Sequence, residues 1–168
     1  IAIFAGYYQK LLHPENETNN SLQAALKRIN RLEVTTAYPF LLNCYHDYCQ
    51  GRLVINDFLE ILQIIENFII RRFVCNVPTN ELNKIFPQLY AQAILRDSGS
   101  LPNGVRAVLQ SRGYPKDIEF RSRLVESRLY GAGERTTKTK LILETIETSY
   151  RHHEVVPFDS LTIEHVMP

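Results

Sequence analysis

The segment from residue 56 to residue 74, NDFLEILQIIENFIIRRFV, constrains the fold more than any other part of the sequence. Its apolar residues recur at the three- and four-residue spacing of an α-helix and cover most of the circumference, as in a helix buried on most sides. Glu60, Gln63, Glu66 and Asn67 interrupt the apolar run too often for a helix that spans a lipid bilayer. The pattern therefore predicts the central core helix of a globular domain.

Helical spacing extends over most of the chain up to about residue 150. Amphipathic patterns predict further helices at residues 1–12, 21–32, 36–50, 79–94, 104–111, 117–129 and 136–150. Pro87 lies inside one of these helices and is expected to kink or split it, because proline removes a helical hydrogen bond. Asp117 is expected to cap the helix that it begins. Arg71 and Arg72 fall at the end of the core helix, where positive charge is favoured, so their predicted role is structural.

The pattern changes after residue 150. EVVPF at 154–158 and LTIEHV at 161–166 contain β-branched residues in near-alternation, which favours strands. The predicted fold class is therefore mainly α: a multi-helix, bundle-like domain at residues 1–150 followed by a short β element at 151–168.

Composition limits the class of protein. A chain of 168 residues with 45% hydrophobic content is long enough for one domain with a buried core. Its three cysteines have no C-x-x-C spacing and are odd in number, which argues against a disulfide framework and a zinc ribbon and favours a reducing cytoplasm. The first residues open in the middle of a helical pattern without a methionine. We therefore expect the sequence to be a piece of a longer protein.

The charge is balanced overall but unevenly distributed. Nineteen basic and 18 acidic residues give a net charge of +1, yet residues 104–140 hold nine basic residues against four acidic ones. Two interpretations of this basic stretch stay open: a solvated face partly paired with Glu119 and Glu126, or a surface that contacts DNA phosphates. The residues predicted to contact DNA are Arg106, Arg112, Arg121, Arg123, Lys138 and Lys140.

The last eight residues, LTIEHVMP, place an acid and a histidine side by side near the end of a predicted strand. Glu164 and His165 are either a polar pair at an exposed terminus or the first half of a catalytic site. Other groups of metal-binding or nucleophilic residue types are poorly spaced for chemistry. His152 and His153 fit a solvated helix end, and the cluster of Cys44, His46 and Cys49 is scattered around a helix.

Four segments in order resemble the GmrSD-type restriction endonucleases. They are RRFVCNVPTNELNKIFPQL at 71–89, SRGYPKDIEFRSRLVESRLYG at 111–131, TKLILETIE at 139–147 and LTIEHVMP at 161–168. Proteins of this type have an N-terminal ParB-like nucleotide-using domain, a helical middle region and a C-terminal HNH nuclease. The resemblance implies that residues 1–150 are the helical middle region and that residues 151–168 begin the HNH domain of a phage-defence enzyme.

The resemblance also implies roles for individual residues. His165 matches the HNH general base that takes a proton from the water attacking the scissile phosphate, a role suited to the near-neutral pKa of imidazole. Glu164 matches the acid that is often a ligand of the single divalent metal, Mg²⁺ or Mn²⁺, in the intact parent. The HNH signature needs a second strand and a helix with further ligands, and nothing follows Pro168 in this sequence. We therefore expect the chain itself to be inactive, metal-free and only a weak DNA binder. The alternative is a helical scaffold or protein-interaction domain without nuclease activity.

Overall fold

The computed structural model describes residues 2–131, 133–150, 158 and 161–163. Contacts along the chain separate two compact units, residues 1–127 and residues 128–168. The described chain is mainly helical and contains no strand. The first unit holds α1 (Ala2–Leu12), α2 (Asn20–Arg31), α3 (Tyr38–Cys49), α4 (Ile55–Val74), α5 (Leu82–Arg96), α6 (Leu101–Gln110) and α7 (Asp117–Glu126), and the second unit holds α8 (Glu134–Ser149).

The predicted core helix is confirmed as α4, which packs against α2, α3, α6 and α7. Phe58, Ile61 and Phe68 on α4 are completely buried. Complete burial of a side chain of this size contributes about 1.5–3 kcal/mol. The apolar circumference of α4 thus holds the first unit together.

Helices α5 and α6 pack closely because Gly104 has no side chain. A Cβ atom at position 104 would lie only 2.2 Å from the carbonyl oxygen of Ala93. Ser100 caps α6, since its hydroxyl accepts a hydrogen bond of 3.4 Å from the backbone N–H of Asn103. The backbones of the two helices are therefore in direct contact at a defined position.

Two local predictions concern Pro87 and Asp117. Of the two expected effects of Pro87, a kink or a split, the split does not occur, since helix α5 runs unbroken from Leu82 to Arg96 with Pro87 inside it. Pro87 and Asn83 are both exposed, and the Asn83 carbonyl that loses its helical partner can therefore bond water instead. Asp117 does not cap α7: Lys116 is the N-cap residue, and the Asp117 carboxylate binds Arg71.

The predicted β element falls almost wholly outside the described residues. Of the segments 154–158 and 161–166, the structure describes only Phe158 and residues 161–163, and these form no strand. The predicted domain boundary is between residues 150 and 151, and the division into two compact units falls between residues 127 and 128. Helix α8 thus belongs to the second unit. Within the part of the chain that the structure describes, no helix has both the length and the apolar character needed to cross a membrane.

Candidate functional site

The C-terminal end of α4 brings two of the four resemblance segments together. Arg72 is only 2% exposed. Its Nη2 donates hydrogen bonds to the carbonyl oxygen of Pro78 at 2.6 Å and to Glu81 Oε2 at 3.3 Å. Its Nη1 donates to the carbonyl oxygen of Arg112 at 3.5 Å, and its guanidinium lies 5.3 Å from the ring centroid of Phe68. One buried side chain therefore holds the turn before α5 and the loop after α6.

Arg71 attaches the start of α7 to the same end of α4. Its Nη2 donates to Asp117 Oδ1 at 2.5 Å, and its Nη1 donates to the carbonyl oxygen of Pro115 at 3.0 Å. Its Nε donates to Asn67 Oδ1 at 2.8 Å, one helical turn back along α4. The guanidinium is thus bonded on three sides, which fixes its orientation.

Aromatic rings enclose the Arg71 guanidinium. It lies 5.4 Å from the ring centroid of Tyr114 and 5.0 Å from that of Phe120, distances at which the ring faces attract a cation. Tyr114 also stacks on Phe68 at 5.8 Å, and its hydroxyl donates to Asn67 Oδ1 at 2.5 Å. Burial raises the pKa of the Tyr114 hydroxyl above its usual value, although the nearby Arg71 charge opposes this. Arg71 and Arg72 therefore have the structural role that the sequence predicts. They fill it by bonding to residues that are distant in the chain.

A polar cleft of about 730 Å³ runs along the outer face of α4. Two ion pairs lie in it: Arg71 with Asp117 at 2.5 Å, and Arg106 Nη2 with Glu60 Oε1 at 2.7 Å. The cleft thus combines neutralised charges with side-chain amides, an arrangement that offers little net attraction to an anion. Its lining residues are Asn56, Leu59, Glu60, Gln63, Ile64, Asn67, Arg71, Arg106, Gln110, Tyr114 and Asp117.

A smaller notch of about 340 Å³ lies between the C-terminal parts of α5 and α6. Two arginines, Arg96 and Arg112, line it, and its described lining contains no carboxylate. The lining of the notch is therefore positively charged, whereas the arginines of the cleft along α4 are neutralised by carboxylates. Its other lining residues are Gln92, Leu95, Val108 and Ser111.

The predicted DNA-binding residues of the first unit have different surroundings. Arg106 is paired with Glu60, so much of its charge is neutralised locally. Arg112 is exposed, and its Nη2 makes only a long contact of 3.5 Å with Gln92 Oε1. Arg121 and Arg123 lie exposed on α7. The basic stretch in this unit is therefore not one uniform surface.

The other two predicted DNA-binding residues lie on α8, in the second unit. Lys138 is only 6% exposed, whereas Lys140 is partly exposed. The neighbouring Thr139 is also buried, and its hydroxyl donates to the carbonyl oxygen of Leu129 at 2.5 Å. Of the two lysines, Lys140 is the one whose ammonium group is more accessible to a phosphate.

The predicted catalytic pair, Glu164 and His165, lies outside the described residues. The same is true of His152 and His153. Among the residues that are described, no three His, Cys, Asp or Glu side chains converge in the way that a metal site requires. The described structure therefore provides the helical body without the predicted nuclease residues.

A partly buried polar cluster joins α3 to α5. The hydroxyl of Tyr90 donates to Asp47 Oδ2, while Arg52 Nε donates to Asp47 Oδ1 at 2.8 Å. Burial, together with the hydrogen bond to the Asp47 carboxylate, raises the pKa of Tyr90 to about 12. Nearby on α3, burial raises the pKa of the Cys44 thiol well above its usual value, so this thiol is a poor nucleophile. The cluster links helices and has no accessible reactive group of its own.

Comparison of the chain with protein-family models, curated proteins and solved structures finds no match.

Two features of the site were missed by reasoning from the sequence. The cleft along α4 is signalled only by the polar residues that interrupt the apolar run, and Arg96 lies outside the basic stretch. The roles of the cleft and of Arg96 depend on which helix faces pack together, and the local sequence pattern does not specify this.

Proposed function

We propose that residues 1–150 are the helical middle region of a GmrSD-like DNA endonuclease and that residues 151–168 begin its HNH nuclease domain. The observation that supports this is the junction at the end of α4. There, residues of segment 71–89 bond directly to residues of segment 111–131 through Arg71 and Arg72. Hydrogen bonds therefore join two of the segments that carry the resemblance, within the first unit.

In this proposal the chemistry belongs to the C-terminal residues. His165 is the general base that activates water, and Glu164 is a ligand of one divalent metal ion, on a short strand that opens the ββα-metal unit. The two residues alone do not fit such an ion, since Mg²⁺ demands a near-octahedral set of oxygen ligands and Glu164 is a single carboxylate. The proposal therefore requires a second strand and a helix with Asn or His ligands after Pro168.

The proposed parent is a cytoplasmic enzyme of restriction or phage defence. The decisive experiment begins with the coding sequence downstream of Pro168. If that sequence encodes a strand, a helix and Asn or His ligands, the extended protein should nick plasmid DNA when Mg²⁺ or Mn²⁺ is supplied. The variant His165→Ala should abolish nicking, while the control His13→Ala, which changes an exposed histidine, should not. A stop codon after Pro168, or full activity in His165→Ala, would refute the assignment.

A second candidate function is a helical scaffold or protein-interaction domain without nuclease activity. Helix α7 favours it, because α7 has no buried residue and exposes Ile118 and Val125 at 86% and 88%. The two residues are seven positions apart and so lie on one face of α7, and an apolar patch on an exposed face is typical of protein-interaction surfaces. The downstream sequence separates the two candidates, since a scaffold has no need for an HNH continuation.

A further inference from the structure

We propose that the notch between α5 and α6 is a binding site for a phosphate group, held by Arg96 and Arg112. The inference rests on the proposed function where it names DNA as the source of that phosphate. Arg96 lies outside the basic stretch at residues 104–140, whereas Arg112 belongs to it.

Electrostatics distinguish the notch from the larger cleft along α4. Each arginine of the cleft faces a carboxylate, so an incoming anion would have to displace Asp117 or Glu60. The described lining of the notch contains two arginines and no acid. Two uncompensated guanidinium groups in one concave site attract a phosphate, and planar guanidinium donors match its oxygens in pairs.

The hydrogen-bond donors of the notch come from one face of α5 and from the residue that follows α6 by two positions. Gln92 and Arg96 are four residues apart on α5 and therefore lie on the same face of that helix. The close contact at Gly104 fixes α6 against α5 and so fixes the distance across which Arg112 must reach. Arg112 is oriented towards α5, because its Nη2 lies 3.5 Å from Gln92 Oε1. An anion that bridges Arg96 and Arg112 would occupy the space between the two helices.

The hydrogen-bonding capacity of the lining agrees with an acceptor-rich ligand. Gln92 uses one N–H of its amide to bond Gln88 Oε1 at 2.9 Å and keeps the second N–H for another acceptor. The Ser111 hydroxyl donates its only hydrogen to the carbonyl oxygen of Val108 at 2.7 Å, so it has none left to donate to a ligand. The remaining donors belong to Gln92, Arg96 and Arg112. The oxygens of a phosphate can accept hydrogen bonds from all three.

The rim of the notch favours a phosphodiester over free phosphate. Leu95 lines the notch and is 85% exposed. An apolar side chain beside two phosphate-binding arginines offers a contact for the sugar of a nucleic-acid backbone, which inorganic phosphate lacks. The expected ligand is therefore a backbone phosphate of DNA, contacted without regard to base sequence.

The test measures binding of a fluorescent DNA duplex of random sequence to the 168-residue chain over a range of salt concentrations. The double variant Arg96→Gln with Arg112→Gln should lower the affinity at low salt by about tenfold or more. It should also reduce the slope of log affinity against log salt by about 1, since about 0.9 counterion is released for each phosphate neutralised and the two arginines bind one phosphate. The matched control Lys27→Gln with Lys84→Gln removes the same charge from exposed positions on α2 and α5 and should leave the slope nearly unchanged.

Several outcomes would overturn the proposal. Equal losses in the double variant and its control would mean that net charge alone governs binding. An unchanged slope in the double variant, with thermal unfolding showing an intact fold, would exclude the notch as the contact. Titration of inorganic phosphate into the chain without DNA distinguishes free phosphate from DNA as the ligand. Saturable phosphate binding that is lost in the double variant supports the notch as a phosphate site. If phosphate binds in this way and the DNA duplex does not bind, the assignment of DNA as the ligand is wrong. The nicking test with His165→Ala is scored separately, so failure of the nuclease proposal and failure of the notch are distinguishable.

Discussion

Arg72 Nη2 donates a hydrogen bond of 2.6 Å to the backbone carbonyl oxygen of Pro78, from a side chain that is only 2% exposed. The same guanidinium reaches the carbonyl of Arg112, forty residues away in the chain. Replacing Arg72 with Met should lower the free energy of unfolding by about 3 kcal/mol, because the carbonyls of Pro78 and Arg112 lose the charged donor that bonds both of them. Urea denaturation at neutral pH measures this change.

Glu81 provides the control for Arg72. It also binds Arg72, at 3.3 Å, but its side chain is 62% exposed. The substitution Glu81→Gln should therefore cost less than about 1 kcal/mol, as for most exposed ion pairs. Equal losses in the two variants would show that the ion pair, and not the pair of carbonyl contacts, dominates.

Gly104 should not tolerate a methyl group. Because a Cβ there would meet the Ala93 carbonyl oxygen at 2.2 Å, Gly104→Ala must push α5 and α6 apart and should destabilise the fold by about 3 kcal/mol. Gly6 on α1 is the matched control, since a Cβ there has nothing within 4 Å. Gly6→Ala should stabilise the chain by about 0.5–1 kcal/mol, because alanine favours the helix. Thermal unfolding of both variants should shift in opposite directions, and similar shifts would contradict the close contact.

Tyr90 should give the chain a measurable alkaline dependence. Its pKa is raised from 10 to about 12 in the folded protein, mainly by burial and then by its bond to Asp47. The folded state thus retains a proton that the unfolded state has already lost, so this contribution to stability is complete below pH 10 and falls as the pH rises towards 12. The stability difference between wild type and Tyr90→Phe should shrink over that range in denaturant titrations. A difference independent of pH between 9 and 12 would disprove the assigned pKa.

Arg71 should control the attachment of α7 to α4. Arg71→Ala removes its bonds to Pro115 and Asp117 and its contacts with two aromatic rings. Hydrogen exchange of the α7 amides should therefore become faster, with little change in α5. Asp117→Asn keeps the Pro115 bond and the ring contacts, and Asp117 is 72% exposed, so the exchange rates should change far less. Rates that rise equally in both variants would assign the attachment to the ion pair alone.

The helical class and the core could be predicted from the sequence because burial leaves a local, periodic pattern. Phe58, Ile61 and Phe68 recur at helix spacing, and all three are fully buried. The role of Gly104 could not be predicted in this way. The sequence gives no sign that the absence of a side chain there lets the backbone of α5 approach α6.

The candidate sites were less predictable, because they depend on pairs of residues far apart in the chain. Arg71 meets Asp117 forty-six residues later, and Arg106 meets Glu60 across the same separation. A count of charges treats Arg106 and Arg112 alike, yet one is paired with a carboxylate and the other lines a notch without one. Glu164 and His165 stay predictions, since they lie outside the described residues.

The contacts of Arg72 have a consequence for how this chain tolerates change. Its guanidinium recognises the main chain at Pro78 and Arg112, through carbonyl groups that every amino acid possesses. Arg72 therefore fixes the path of the backbone at these two positions and places no demand on the side chains of residues 78 and 112. An insertion or deletion in either loop would move a carbonyl away from the buried cation, so Arg72 ties the stability of the first unit to the lengths of two loops.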